Sequence, residues 1–178
     1  MRTPRLTPRV TLRAMRWWDV EAVQALDAEL FGPTAWTPGT FWGELAAGPS
    51  RWYVVAETRP DGGGEAVLAG YAGLLVSAGD ADVQTIGVAP SAQGRGVGTV
   101  LLRALTERAA RSGATALLLE VRADNTPAIS LYTREGFERV AVRRRYYQPG
   151  DVDALVMRLR PLPVPVASAP GTSLQGEP

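Results

Sequence analysis

One stretch near the middle of the chain constrains the fold more than any other. It begins at Gln84 and reads QTIGVAPSAQGRGVGTVLLRAL, an apolar strand-like run followed by closely spaced glycines and then by an amphipathic pattern. A strand that passes through a short glycine-rich loop into a long helix is typical of α/β proteins. Gly94, Gly96 and Gly98 let backbone amides approach a ligand, and a helix N-terminus adds about half a positive charge. The stretch therefore predicts an anion-binding loop made of main chain.

Two common phosphate motifs do not fit this loop. The dinucleotide-binding pattern would need its third glycine at Thr99, and the nucleotide P-loop needs a lysine, which the chain lacks throughout. A tight strand-to-helix turn without a ligand is the alternative interpretation of the loop by itself.

The composition excludes several kinds of chemistry. The 178 residues include no cysteine and no histidine, which removes disulfides, thiol nucleophiles, imidazole bases and Cys or His zinc sites. The net charge of +1 offers no general reason to bind nucleic acid or an anionic membrane. Without a long apolar run or an apolar signal core, the chain is expected to be cytoplasmic. Catalysis must use carboxylates, hydroxyls, tyrosines or backbone amides, and no metal is expected.

The remaining pattern predicts an α/β domain over residues 1–160 and a Pro-rich, disordered tail over residues 161–178. Predicted helices run from Asp19 to Leu30, from about Thr37, and over 96–111 and 126–135. Predicted strands follow a first strand near the N-terminus and lie at 51–57, 66–76, 82–88, 116–121, 140–146 and 154–159. In the third helix, the residues expected to face inward are Val100, Leu101, Leu105 and Ala109. RPDGGG, at 59–64, is predicted to be a turn between two strands.

A second group of polar residues lies downstream, in LEVRADNTPAISLYTREGF. Glu120 ends an apolar strand, where a carboxylate is costly unless it faces a polar cleft or a partner such as an arginine. Tyr132 shares a helix face with Ala128 and Ile129, so it either points to the same cleft or packs in the core. Asn125 precedes this helix, where its ordinary role is an N-cap.

These residues resemble the GCN5-related N-acetyltransferase (GNAT) superfamily. Gln93 to Gly98 reads Gln-x-x-Gly-x-Gly, which is similar to the loop that grips the pyrophosphate of acetyl-CoA in that family. LEVRADNTPAISLYTREGF, RRRYY, DALVM and FGPTAWTPGTF are similar to its RimI-type branch, which acetylates the N-terminal alanine of small-subunit ribosomal protein number eighteen. The resemblance covers about residues 9–160 of the chain. The segment around Trp36 departs from the branch by carrying extra residues.

The resemblance implies a mixed, mostly antiparallel sheet of about seven strands, splayed at the acetyl-CoA site and flanked by about four helices. It implies direct acetyl transfer to a protein N-terminus, with no acyl-enzyme, and a protein that is a monomer or weak dimer. It makes Glu120 the general base and Tyr132 the general acid. The cofactor-binding residues it implies are Ile86, Gly87, Val88, Gln93, Gly94, Arg95, Gly96, Val97, Gly98, Thr99 and Asn125. The substrate-binding aromatics, expected on connecting segments, are Phe31, Trp36, Phe41, Tyr146 and Tyr147.

Proton chemistry favours an α-amine as acceptor. An α-amine has a pKa of about 7.7–8.0, against about 10.4 for lysine, a gap of about 3.5 kcal/mol. A small-molecule amine, a protein lysine and a non-catalytic acyl-CoA-binding module remain alternatives. Adjacent Tyr146 and Tyr147 cannot both point inward from a strand, so at least one is expected to be exposed.

Overall fold

The computed structural model describes residues 10–59 and 64–163, which form a seven-stranded sheet and four α-helices. The strands are β1 (Val10–Ala14), β2 (Arg51–Thr58), β3 (Val67–Ser77), β4 (Asp80–Val88), β5 (Leu117–Arg122), β6 (Glu138–Tyr147) and β7 (Val152–Leu159). The helices are α1 (Val20–Phe31), α2 (Pro38–Ala46), α3 (Val97–Arg111) and α4 (Thr126–Arg134). The strand order is β1-β2-β3-β4-β5-β7-β6, and only β4 and β5 pair in parallel. The predicted mixed, mostly antiparallel sheet is confirmed.

The helices α2 and α4 begin where the capping residues in the sequence predict. The Thr37 side chain caps α2 by accepting a hydrogen bond from the Thr40 amide at 3.2 Å, and Pro38 occupies the first turn. Asn125 caps α4 by accepting from the Ala128 amide at 3.2 Å. These caps satisfy amides that would otherwise lack partners in the first turn.

The helices lie on both faces of the sheet, as the alternation along β3 shows. A Cβ at Gly70 would meet Leu101 of α3 at 3.0 Å. The next residue, Tyr71, donates instead to Asp27 of α1. Neighbouring residues of a strand point to opposite faces, so α1 and α3 cover opposite sides of β3.

The sheet opens between β4 and β5. Their parallel pairing consists of Ala81 with Leu117 and Asp82 with Leu118. In the pairing with β3, Gln84 is an extra residue on β4, which makes a bulge at this point. Beyond it β4 stays with β3, whereas β5 pairs with β7. Residues 83–88 of β4 therefore have no strand partner on the β5 side among the described residues.

Some predictions need correction or fall outside the described residues. Val100 is 36% exposed and does not face the core, because its direction differs by about 100° from that of Leu101 on a helix. Val97 and Leu102 are buried in its place. The predicted turn at 59–64 and the tail lie largely outside the described residues. Within the described part, no helix is long and apolar enough to cross a membrane.

Candidate active site

The glycine-rich loop lies between the end of β4 and the start of α3. Gly94 and Gly96 have φ angles of +70° and +84°, which side-chain-bearing residues rarely adopt. A Cβ at either position would meet nothing within 4 Å, so open space adjoins the loop. Gln93 ties the loop to β4, because its Nε2 donates to the Val88 carbonyl at 3.2 Å.

The loop and the free edge of β4 fit a long, partly anionic ligand. Ile86 and Val88 are half-buried on this edge, and the unpaired main chain there can bond an extended amide-bearing arm as a strand would. The N-terminus of α3, which begins at Val97, is suited to phosphate groups. These are the requirements of the pantetheine arm and pyrophosphate of acetyl-CoA.

Four further predicted cofactor residues occupy different positions around this edge. Gly87 is buried, and a Cβ there would lie 2.6 Å from Cε1 of Tyr71, so only glycine fits without a shift. Arg95 is an exposed loop residue, and Thr99 is half-buried in the first turn of α3. The Asn125 side chain is engaged in capping α4.

Tyr132 is held near the loop by the packing of α4 against α3. A Cβ at Gly98 would lie 3.1 Å from Cδ2 of Leu131, so the absence of a side chain lets the two helices approach closely. The adjacent Tyr132 is buried, with its ring centroid 6.0 Å from that of Phe137. Burial raises the pKa of Tyr132. Its hydroxyl therefore keeps its proton at neutral pH and is available as a donor.

Glu120 is half-buried on β5 and contacts residues of β6. Its Oε1 lies 3.0 Å from Nη2 of Arg143. Glu120 also raises the pKa of Tyr146, as a neighbouring acceptor and as a negative charge. Arg122, the other arginine considered as a partner, instead pairs with Asp124 at 2.8 Å.

Tyr146 and Tyr147 lie at the end of β6, not on a connecting segment as expected. Tyr146 is 47% exposed and Tyr147 is half-buried. The prediction that at least one of the two tyrosines is exposed is confirmed. Burial, then the charge of Glu120, raise the pKa of Tyr147. The Tyr147 ring lies 5.2 Å from that of Tyr146 and 5.5 Å from the Arg122 guanidinium.

A cavity of about 340 Å³ adjoins this group of residues. It is lined by Leu30, Phe31, Pro33, Thr34, Arg122 and Pro149. The end of α1 and the β6–β7 turn therefore form its walls, and Arg122 connects it to the face of β5 that carries Glu120. Phe31, expected on a connecting segment, is the last residue of α1 and lines this cavity.

The prediction that Phe41 lines an acceptor groove is wrong. Phe41 lies within α2, is 0% exposed and packs against Trp36 and Tyr71 with ring centroids at 5.3 and 6.0 Å. Its ring faces the core because α2 must cover the apolar face of the sheet. Trp36 is half-buried, packed against Phe41 at the edge of the core.

The sequence analysis missed a buried polar network beneath this segment. Asp27 is only 1% exposed and accepts hydrogen bonds from the Trp36 amide, at 2.6 Å, and from the Tyr71 hydroxyl. Burial, then the bond to Asp27, raise the pKa of Tyr71. Because the Tyr71 ring also covers Gly87, one residue connects the acceptor side to the free edge of β4. In the sequence, the signal for this network was an acidic residue, Asp27, next to the apolar face of α1.

Comparison with known proteins decides the family. The family model described as "Acetyltransferase (GNAT) family" matches residues 13–137. The chain belongs to this family. It is an acetyl-CoA-dependent acetyltransferase. Among the described residues, no group of three or more acidic, histidine or cysteine side chains could hold a metal ion.

Several relatives of this GNAT member carry more specific names. A Mycobacterium tuberculosis protein named "N-alpha-acetyltransferase RimI" is 43% identical over 157 residues, covering 85% of this chain and 93% of the relative. A Bacillus subtilis protein named as a putative alanine N-acetyltransferase of ribosomal protein bS18 is 34% identical, covering 84% of this chain and 94% of the relative. The crystal structure of the Escherichia coli alanine N-acetyltransferase of this ribosomal protein matches with a TM-score of 0.73 at 26% identity, covering 93% of this chain and 100% of that one.

Proposed function

We propose that this acetyltransferase modifies the α-amine of a protein N-terminus, and most narrowly the N-terminal alanine of ribosomal protein bS18. The relative from M. tuberculosis, similar over nearly its whole length, supports the α-amine as the acceptor. The relatives from B. subtilis and E. coli, both named for bS18, support this ribosomal protein as the substrate. The observation in the site that carries the proposal is the position of Glu120 beside the open edge of β4, on the face of β5 whose Arg122 lines the cavity.

On the donor side, acetyl-CoA supplies the thioester when it is bound. The main chain of Ile86, Gly87 and Val88 bonds the extended arm and polarises the thioester carbonyl, as an oxyanion site does. The loop from Gln93 to Thr99 binds the pyrophosphate, and Arg95 adds a positive charge beside it. Asn125 completes the site from the start of α4.

On the acceptor side, Glu120 receives a proton from the ammonium and Tyr132 donates one to the leaving sulfur. The α-amine suits this arrangement because an appreciable fraction is already neutral near pH 7.5, given a pKa of about 7.7–8.0. Phe31, Trp36, Tyr146 and Tyr147 bound the path of the substrate peptide. Transfer is direct because the chain has no cysteine and the site has no activated serine.

The test is release of free thiol from acetyl-CoA with a synthetic peptide beginning Ala-Arg. The control is the same peptide with a blocked α-amine and a free internal lysine. We expect release with the first peptide alone. Release with the blocked peptide would point to lysine acetylation, and release with a panel of small amines alone would point to a small-molecule acceptor.

The roles of the two candidate catalytic residues need separate variants. Glu120→Gln keeps the shape and removes the negative charge, so we expect kcat to fall by about 10²-fold or more. Binding of acetyl-CoA, followed by calorimetry, should stay unchanged because Glu120 is not among the residues of the donor side. Full turnover by Glu120→Gln would reject the general-base role.

A further inference from the structure

A second carboxylate, Asp82, lies beside Glu120 without a role in the chemistry described above. Asp82 pairs with Leu118 across the β4–β5 junction, in the last pair before the strands separate. Paired residues of neighbouring strands project to the same face, and so do residues two apart on one strand. Asp82, Leu118 and Glu120 therefore share one face of the sheet.

That face is the acceptor side of the molecule. Arg122 follows Glu120 by two residues, shares its face, and lines the cavity together with Phe31. The row from Asp82 through Glu120 to Arg122 thus runs from the inner end of the opening to the acceptor cavity. Asp82 is half-buried at the inner end of this row.

The surroundings of Asp82 favour its uptake of a proton. Burial, followed by the charges of Asp80 and Glu120, raises its pKa. Asp80 itself accepts a hydrogen bond from the Thr115 hydroxyl at 2.9 Å. Two arginines lie in the same cross-strand row as Asp82: Arg51 beyond Leu75, where it pairs with Glu44, and Arg158 beyond Leu118, opposite Glu138. Arg143 of β6 lies against Glu120, and within the described ranges no arginine forms an ion pair with Asp82. A carboxyl group with a raised pKa is the better proton acceptor near neutrality.

We propose that Asp82 and Glu120 form a carboxylate pair that takes up the proton of the acceptor ammonium, Asp82 acting through Glu120. The inference rests on the proposed function, since it requires a protonated amine as the acceptor. Asp82 is a positioning residue in this scheme, because Glu120 stands between it and the substrate. Two neighbouring carboxylates take up a first proton more readily than an isolated carboxylate does.

The protons of the reaction balance with this pair in place. The acceptor nitrogen changes from an ammonium to an amide N–H and releases two protons. The pair takes the first before the nitrogen forms its bond to the thioester carbon, and later passes this proton to solvent. As the carbon–sulfur bond breaks, Tyr132 gives its proton to the sulfur, and the second nitrogen proton restores the tyrosine.

The experiment compares Asp82→Asn with Glu107→Gln, the loss of one exposed carboxylate on α3, away from the site. kcat/KM for the Ala-Arg peptide is measured from pH 6.5 to 9.5. We expect Asp82→Asn to lose about tenfold at pH 7 and much less at pH 9, where an α-amine of pKa about 8 is already mostly neutral. Glu107→Gln should follow the wild-type profile, and Asp82→Glu should recover most of the activity at pH 7.

A purely structural role for Asp82 predicts different results. A loss of the same size at every pH, or no loss at all, overturns the inference. Acetyl-CoA binding and the melting temperature identify a variant that does not fold, and Asp82→Ser then replaces Asp82→Asn under the same pH criterion. Wild-type protein that turns over no peptide rejects the proposed function itself, which is a separate outcome.

Discussion

Replacing Tyr71 by phenylalanine tests how the acceptor side is held together. The variant keeps the ring that covers Gly87 and removes the hydroxyl that donates to Asp27. Asp27 is 1% exposed, so water cannot readily take the place of the lost donor. A hydrogen bond to a charged group contributes about 1.5–3 kcal/mol, and we expect a loss of about 2 kcal/mol in the free energy of unfolding.

The loss should be visible in both stability and kinetics. For a chain of this size, about 2 kcal/mol lowers the melting temperature by roughly 4–8 °C, measurable by calorimetry. Asp27 also accepts from the Trp36 amide, so a shift of its carboxylate moves the segment between α1 and α2. KM for the peptide should rise about three- to tenfold, which corresponds to roughly 1 kcal/mol. KM for acetyl-CoA should stay the same because the ring at Gly87 remains.

The matched control is Tyr53→Phe. The Tyr53 hydroxyl donates to Glu44 at 2.6 Å, but Glu44 is only half-buried, so water can replace the donor. We expect at most about 1 kcal/mol of destabilisation and no change in the peptide KM. Equal effects of the two variants, or a Tyr71→Phe variant as stable as the wild type, would refute the reasoning about the buried carboxylate.

Three further predictions concern the donor loop, the general acid and the tail. Tyr132→Phe should lower kcat by about 10²-fold in the thiol-release assay with both KM values nearly unchanged, and unchanged turnover would remove the tyrosine from the mechanism. Gly96→Ala and Gly113→Ala both place a side chain at a positive φ, +84° and +79°, so each should lower stability by about 1 kcal/mol in denaturant titrations. Only Gly96→Ala should raise KM for acetyl-CoA, because its Cβ projects into the space beside the loop; a shared KM effect would contradict this placement. The tail was expected to begin at residue 161, but Leu162 packs against the core. We propose that residues 164–178 lie outside the catalytic domain, so that removing them leaves turnover within about twofold in the same assay.

Features that depend on neighbouring residues in the chain could be predicted from the sequence. Thr37 and Asn125 cap their helices, and glycines stand where the loop and the end of α4 require positive φ angles. The position of the glycine-rich loop between β4 and α3 followed from the same local pattern. These features need only a few consecutive residues and their backbone chemistry.

Features that depend on distant contacts could not be predicted. The hydrogen bond between Tyr71 and Asp27 joins residues 44 positions apart. The helical periodicity of α1 does not indicate which residue bonds to an acidic side chain on that helix. Phe41 was assigned to the wrong environment because an aromatic residue near a loop can face either the core or the solvent. The proximity of Asp82 to Glu120 follows from a parallel strand pairing of two residues, which no local pattern specifies.

The free edge of β4 has a consequence for how the two substrates respond to mutation. Every residue except proline supplies the same main-chain amide, so a donor held along residues 85–88 tolerates most substitutions that preserve the strand, apart from those at Gly87, where a Cβ would meet Tyr71. The acceptor cavity is bounded by side chains from the end of α1, from β5 and from the β6–β7 turn, and each can be altered by a single substitution. Mutation therefore acts unequally on the two halves of the site. Binding of acetyl-CoA depends on backbone geometry and is preserved, whereas single substitutions can change which amine is accepted.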